Sequence, residues 1–411
     1  MRVGVIASIP HATVGGGSTF LESLIQVLDT VQNQHVFVRF QETPHVRKAG
    51  EAGLRRLPDG HLSHLRTIVR ETWLGDKLAR GARMLRGSHP QNQRQIQIDQ
   101  WIRMQQIDIV WFLHPMDTLV SVPFIATVWD LQHRSRPYFP EVSVTGWSWE
   151  ERERTYSSIL PRASFILTGT HAGKNEIVHY YRVNPDNVVV NPLPAPASMT
   201  ENHRDAISDI RKKYGIRGDF IIYPAQFWPH KNHINLLIAL AILNRKRGKT
   251  IEMVFMGSDK GNADHVLGKI NELGLHDQVH ILGFVPREDL KALYSKAQAL
   301  AFPSFFGPDN LPPLEAFALG CPVTASRVSG AEEQLGDAAL LFDPANPDDI
   351  ASAILTILED DQLRARMTQK GAEIAKVRTP EAYVAQVCSA LDKFGLIRPC
   401  WGRDYKHPST Q

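Results

Sequence analysis

The sequence predicts an α/β protein made of two doubly wound, Rossmann-like domains in series, facing each other across a cleft. Three observations lead there. The chain has 411 residues, which suits two hydrophobic cores better than one. Short runs rich in Val, Ile and Phe alternate with segments of helical periodicity, the pattern of a parallel sheet covered on both faces. The alternation stops at a proline-rich, polar stretch after Pro192 and then restarts.

In the first half, Val3 to Ser8 reads as a strand, and Gly15-Gly16-Gly17 as a turn opening a helix over Ser18 to Leu28. Strands follow at His35 to Phe40, Ile107 to Leu113, Phe124 to Val128, Phe165 to Thr168 and Val188 to Val190, with a helix over Gly173 to Tyr181. Pro192, Pro194 and Pro196, and the polar residues to Asp209, form the linker. In the second half, strands are expected at Phe220 to Tyr223, Ile251 to Met256, Val279 to Leu282 and Ala299 to Phe302. Helices are expected at His233 to Arg247, Pro313 to Leu319 and Asp348 to Leu358, the last started by Asn346-Pro347. The domains are therefore set at 1–195 and 212–385, with a tail, 386–411, that is open to packing back on the first domain.

Composition excludes several classes. Hydrophobic residues make up 43% and charged residues 22%, as in ordinary globular chains and unlike disordered ones. The longest apolar run, Leu236 to Leu243, is far short of a membrane span, and the N-terminus does not read as a signal peptide. Cys321, Cys388 and Cys400 are too few for a disulfide framework and have no zinc spacing. A cytoplasmic chain without a metal centre is expected. The net charge of +3 conceals a block from Arg47 to Arg94 that carries +7. Such a block suits an anionic membrane surface or a phosphate-bearing acceptor, and equally a solvated helical face. No nucleic-acid motif accompanies it, so no nucleic-acid partner is expected.

Three segments carry candidate chemistry. Gly16 and Gly17 open a helix, where close backbone approach and unpaired N–H groups favour an anion, although neither the dinucleotide fingerprint nor a P-loop is matched. A ligand-free glycine turn is the alternative. In Tyr223 to Asn232, Lys231 is expected at a helix N-terminus, an unfavourable place for a cation unless an anion is there too. In Phe302 to Val323, a Gly/Pro-rich loop leads into a helix with Glu315 expected in its first turn, where it could cap the helix or accept two ribose hydroxyls.

These segments resemble a known family. Gly307 to Val323 resembles the motif of two Glu residues with seven residues between them, followed by Ala-x-Ala-x-Gly-x-Pro-Val, of retaining glycosyltransferases of family 4, which have the GT-B fold. Gln226 to Asn232 resembles that family's Gly-Arg-x-x-x-x-Lys-Asn segment, and Gly283-Phe284-Val285-Pro286 its base-pocket loop. Trp129-Asp130-Leu131-Gln132-His133 is similar to the His-Asp-Leu-Gln-His segment of a mannosyltransferase-like branch.

The resemblance implies a hexosyltransferase moving a sugar, mannose favoured, from a nucleotide-sugar such as GDP-mannose. The acceptor would be a hydroxyl of a glycan or lipid-linked oligosaccharide in surface-polysaccharide synthesis, an O-antigen for example. It implies that Glu315 holds the ribose and Lys231 the diphosphate. Gly16 and Gly17 would approach that diphosphate, and Phe284 and Val285 would hold the base. Asn310, Leu311 and Pro312 belong to the loop at the phosphates and sugar. Asp130 and His133 would face sugar and acceptor, His133 orienting a hydroxyl or acting as base. A hydrogen-bonded core histidine is the alternative. No metal cofactor is implied. Three positions depart from the pattern: Gly307 replaces the first Glu, Gln226 the Arg and Trp129 the first His. Asp309 is expected to stand in for the lost carboxylate. The intact glycines and helix starts favour a sub-branch of the family. A non-catalytic partner subunit, or an epimerase or hydrolase on the same fold, are the other readings.

Overall fold

The computed structural model describes residues 1–7, 16–31, 34–40, 90–115, 118–144, 147–196, 199, 210–247 and 250–402. Most of the basic block, 47–89, and Gly15 lie outside the described residues.

Two six-stranded, wholly parallel sheets form the frame. The first holds β1 (Arg2–Ile6), β2 (Val36–Arg39), β3 (Ile109–Phe112), β4 (Phe124–Thr127), β5 (Phe165–Thr168) and β6 (Val188–Val190), in the order β2-β1-β3-β4-β5-β6. The second holds β7 (Phe220–Pro224), β8 (Glu252–Met256), β9 (Val279–Ile281), β10 (Ala299–Phe302), β11 (Val323–Ser326) and β12 (Ala339–Phe342), in the order β12-β11-β10-β7-β8-β9. Strands such as Ile109–Phe112 and Ala299–Phe302 are buried along their whole length, because helices cover both faces of a parallel sheet. Strand order reverses beside β1 and β7, which places clefts at the carboxyl ends of those strands.

The described helices of the first domain are α1 (Gly16–Thr30), α2 (Pro90–Met104), the single turns α3 (Gln132–Ser135) and α4 (Pro140–Ser143), α5 (Trp149–Ile159) and α6 (His171–Tyr181). Ser148 and Glu151 make a reciprocal capping box at the start of α5. After the linker come α7 (Ile210–Lys213), α8 (His233–Arg247), α9 (Ala263–Leu273), α10 (Arg287–Lys296), α11 (Leu311–Ala318), α12 (Ala331–Leu335), α13 (Pro347–Glu359) and α14 (Asp361–Val377). The sequence reading locates α8 to the residue, and it brackets α13, where Asn346 accepts from the N–H groups of Asp348 and Asp349. It does not mark β11 and β12.

The last helix, α15 (Pro380–Ile397), leaves the second domain and lies on the first. Tyr383 stacks on Trp111 with ring centres 6.5 Å apart, and Phe20 of α1 meets it edge-on at 5.5 Å. Asn191 donates to the Tyr383 carbonyl at 3.2 Å, and Asp392 pairs with His35 at 2.8 Å. Beyond α15, Arg398 pairs with Asp108 at 3.2 Å. The crossing starts at Thr379, the cap of α15, so the packing segment begins seven residues before the tail at 386. No described helix is long and apolar enough to cross a membrane.

Candidate functional site: the cleft between the two sheets

The first wall of the cleft is the start of α1. Gly16 and Gly17 are its opening residues, so their main-chain N–H groups belong to the unpaired set at a 15-residue helix N-terminus. Farther along α1, Glu22 pairs with Arg287 of α10 at 2.9 Å. That contact brings α1 alongside the helix that follows the Phe284–Val285 loop. In that loop Gly283 has a left-handed φ of 64°, Val285 is buried and Phe284 is 63% exposed.

The second wall is the loop after β7. Gln226 accepts from the Trp228 indole at 3.1 Å and donates to Ser258 at 3.2 Å. Pro229–Lys231 is a 3-10 turn, closed by Asn232 in the left-handed region at φ 58°. Asn232 is held there by donating to the carbonyls of Pro303 (3.0 Å) and Pro344 (2.8 Å). Lys231 thus precedes the helix instead of starting it, because Asn232 reverses the chain and α8 begins at His233. The expected conflict with a helix dipole is replaced by a different one. The Lys231 ammonium lies 5.3 Å from the Phe302 ring centre and has no carboxylate within 4 Å among the described residues. Burial pushes its pKa down to about 8, while Asp130 and Glu141 of the opposite domain hold it up.

The third wall is the loop between β10 and α11. Gly307 has φ 124°, and a Cβ there would stand 2.4 Å from the Asn310 carboxamide oxygen. Hence no side chain fits where the resemblance places the first Glu. Asn310 donates to the Gly307 carbonyl at 2.7 Å, and its N–H donates to Gln334 at 3.1 Å. Leu311 is buried, and the Pro312 carbonyl accepts from the Tyr294 hydroxyl at 3.3 Å. Glu315 sits in the second turn of α11, since Leu311, Pro312 and Pro313 fill the first, where prolines need no N–H. It is therefore not a helix cap. It is buried, accepts from Tyr294 at 3.0 Å, and burial raises its pKa to about 7.

Two expected residues face elsewhere. Asp309 does not stand in for the missing Glu. Its Oδ2 accepts from the Leu193 N–H at 2.9 Å, its Oδ1 from Gln334, and the carboxylate lies against Gly169 of the first domain. Burial raises its pKa to about 7. His133 does not face an acceptor either. It is wholly buried, packed on Tyr156 at 5.7 Å, 3.3 Å from the Tyr181 hydroxyl and 3.4 Å from Glu153. Burial lowers its pKa to about 4, so it is a neutral core histidine. Asp130 is half-buried and accepts from the Gln132 N–H at 3.0 Å, and its field reaches Lys231 and His230.

The sequence reading missed two residues that join the walls. Glu141, on α4, accepts from the His230 N–H at 2.8 Å and also bonds the His230 ring through Nδ1. Glu333, on α12, accepts from the N–H groups of His171 (2.6 Å) and Ala172 (3.3 Å) at the start of α6, an anion on a helix N-terminus. His230 stood in the quoted segment beside Lys231, a signal that could have been used. Glu141 and Glu333 belong to no motif.

Residues 206–374 match the family described as glycosyl transferases group 1. The chain is 30% identical over 240 residues to an O-antigen chain mannosyltransferase B of Escherichia coli, covering 58% of this chain and 63% of that protein. It is 28% identical over 249 residues to a D-inositol 3-phosphate glycosyltransferase of Corynebacterium glutamicum, covering 58% of this chain and 60% of that one. In both cases the match spans less than two thirds of the relative's own length. Among solved structures, Anabaena HepE in complex with UDP and glucose superposes with a TM-score of 0.65 at 17% identity, covering 96% of this chain and 100% of that one. The second domain is thus similar to group 1 glycosyl transferases over residues 206–374, and the chain has the two-sheet GT-B architecture.

Proposed function

We propose that the protein is a retaining glycosyltransferase that moves a hexose, mannose favoured, from a nucleotide-sugar to a hydroxyl of a glycan or lipid-linked oligosaccharide. The observation that carries this reading is Lys231, a half-buried and desolvated ammonium with no ion-pair partner among the described residues, set on the loop after β7 within reach of the fields of Asp130 and Glu141 from the other domain. Burying an unpaired charge is costly, and an anionic ligand that supplies the partner recovers that cost. A diphosphate between Lys231 and the α1 N–H groups fits that requirement. Glu315, held by Tyr294 with its other oxygen free of hydrogen bonds among the described residues, suits a ribose hydroxyl. The mannose preference rests on the E. coli relative, and the nucleotide donor on the UDP bound by HepE.

The chemistry asked of the protein is charge stabilisation of a leaving diphosphate and positioning of the acceptor. The reading requires no divalent ion. Synthesis of a surface polysaccharide at the inner membrane face is the setting it suits.

A thermal-shift screen with GDP, UDP, dTDP and ADP, without metal, tests this. One nucleotide at 100 times its dissociation constant is expected to add about 2.7 kcal/mol. The same nucleotide is expected to give no shift with Lys231→Ala. Absence of any shift overturns the transferase reading and leaves a non-catalytic partner subunit.

A further inference from the structure

His133 was the histidine expected to meet the substrate, and it is sealed in the first domain. The structure puts a different histidine at the cleft. His230 lies beside Lys231, on the turn that leads from β7 to α8. Its ring stacks on Phe306, with centres 4.0 Å apart and planes 11° apart, and Phe139 of the first domain meets its edge at 6.4 Å. Its Nδ1 and its main-chain N–H both bond Oε1 of Glu141, a side chain only 5% exposed that reaches over from the first domain. The ring is thus fixed by one carboxylate and two aromatic faces. Its other nitrogen, Nε2, makes no hydrogen bond among the described residues, while the side chain keeps 11% of its surface open.

The proton position follows from the partner. A carboxylate only accepts, so a neutral ring bonded to Glu141 carries its proton on Nδ1, and Nε2 is left with a lone pair. The charged groups whose fields reach the ring are Lys231, Glu141 and Asp130. Burial, with Lys231 next to it, lowers the His230 pKa to about 4, against the pull of the two carboxylates. The free protein therefore presents an acceptor, not an acid. A bound diphosphate would offset Lys231 and raise the basicity of Nε2.

We propose that Glu141 and His230 form a dyad assembled across the cleft, in which His230 Nε2 accepts a hydrogen bond from a hydroxyl of the sugar substrate and Glu141 is the positioning residue that sets its tautomer. This rests on the transferase reading for the nature of the substrate. The dyad exists only when the two domains are together, so it ties hydroxyl recognition to closure of the cleft. It also supplies a polar contact from the second wall, while Gly307 on the third wall offers no side chain.

Two measurements on the full chain test it. The first is ring 15N NMR of histidine-labelled protein at pH 7, with His230 assigned by its loss in His230→Asn. The expected result is a neutral ring protonated on Nδ1 in the wild type, with the preference lost in Glu141→Ala. A ring protonated on Nε2, or one with an ordinary histidine titration untouched by Glu141→Ala, overturns the dyad. If Glu141→Ala does not fold, Glu141→Gln with the same readout replaces it.

The second compares GDP with GDP-mannose, and UDP with UDP-glucose. The sugar-nucleotide is expected to move the Nε2 signal beyond the effect of its nucleoside diphosphate. His230→Asn retains a donor towards Glu141 but has no Nε2. It should keep the nucleoside-diphosphate Kd within about threefold and lower sugar release or transfer by about 100-fold or more. Equal losses in binding and rate, or turnover near wild type, overturn the hydroxyl contact. If no nucleotide binds at all, the transferase reading falls and the hydroxyl contact with it, while the tautomer result still decides whether the dyad exists.

Discussion

A Cβ on Gly169 would stand 2.0 Å from Oδ2 of Asp309, so the donor-side loop of one domain rests directly on the bare backbone of the other. Asp309 makes this contact while holding the Leu193 N–H at 2.9 Å, at the entry to the linker. The two domains are fitted together at a point where only glycine leaves room.

Gly169→Ala is therefore expected to cost about 1–3 kcal/mol, the range for forcing an extra carbon into a packed site. Asp309→Ala in the same chain should recover part of it, since the clash is with that side chain. A double-mutant cycle from urea unfolding measures the coupling, and an additive result removes the contact as the cause.

Glu315→Gln should separate stability from binding. Glu315 has its pKa raised to about 7 by burial, against an unfolded value near 4.5. The folded state therefore binds more protons between these values, and the wild type loses stability as pH rises from about 4.5 to 7. Glutamine keeps an acceptor for the Tyr294 hydroxyl and carries no charge. The unfolding free energy of the variant should exceed that of the wild type by a margin that grows from pH 5 to pH 8, by up to about 3 kcal/mol, read as a rising difference in melting temperature. Its nucleotide-induced shift should disappear. Parallel melting curves across that range would show that the buried carboxyl does not set the difference.

Lys231 predicts the pH dependence of diphosphate binding. Its pKa stands at about 8 in the free protein and should rise once phosphate charge lies beside it. Affinity for GDP or UDP should be constant below pH 8 and fall by up to about tenfold per pH unit above it, with proton uptake on binding. Calorimetry in buffers of different ionisation enthalpy reads both. Lys231→Met should bind weakly at every pH, and a wild-type affinity flat to pH 10 would place the anion elsewhere.

Strong local patterns were the legible part of this chain. The Leu- and Ile-rich run from His233 to Arg247 is a helix to the residue, and the β strands from Phe124 to Phe302 lie within a residue or two of the apolar runs that mark them. Val323–Ser326 and Ala339–Phe342 are four-residue strands of small or evenly apolar residues, with no alternation to distinguish them from loop or helix. The prolines at 312 and 313 drew the start of α11 too late, because a helix tolerates them in its first turn.

At the candidate site, the expectation for Lys231 and Glu315 came from the spacing of their neighbours. His133 was misplaced because burial is decided by what packs on it, here Tyr156 and Tyr181 from two later helices. Glu141 was unreadable for the same reason: its partner His230 lies 89 residues away, in the other domain. The Gly307 departure reads differently in space as well, since its left-handed φ and the Asn310 side chain together leave no place for the lost Glu.

The crossing of α15 also sets an order of assembly in time. Phe20 and Trp111 are made early, but Tyr383, which covers them, is made about 270 or more residues later. At roughly 5–20 residues per second, the first domain waits on the order of 10–50 s on the ribosome with that apolar strip open to solvent. A nascent chain stalled before Pro380 would therefore be a client for chaperones, and emergence of Pro380–Ile397 is the step that completes the fold of the N-terminal domain.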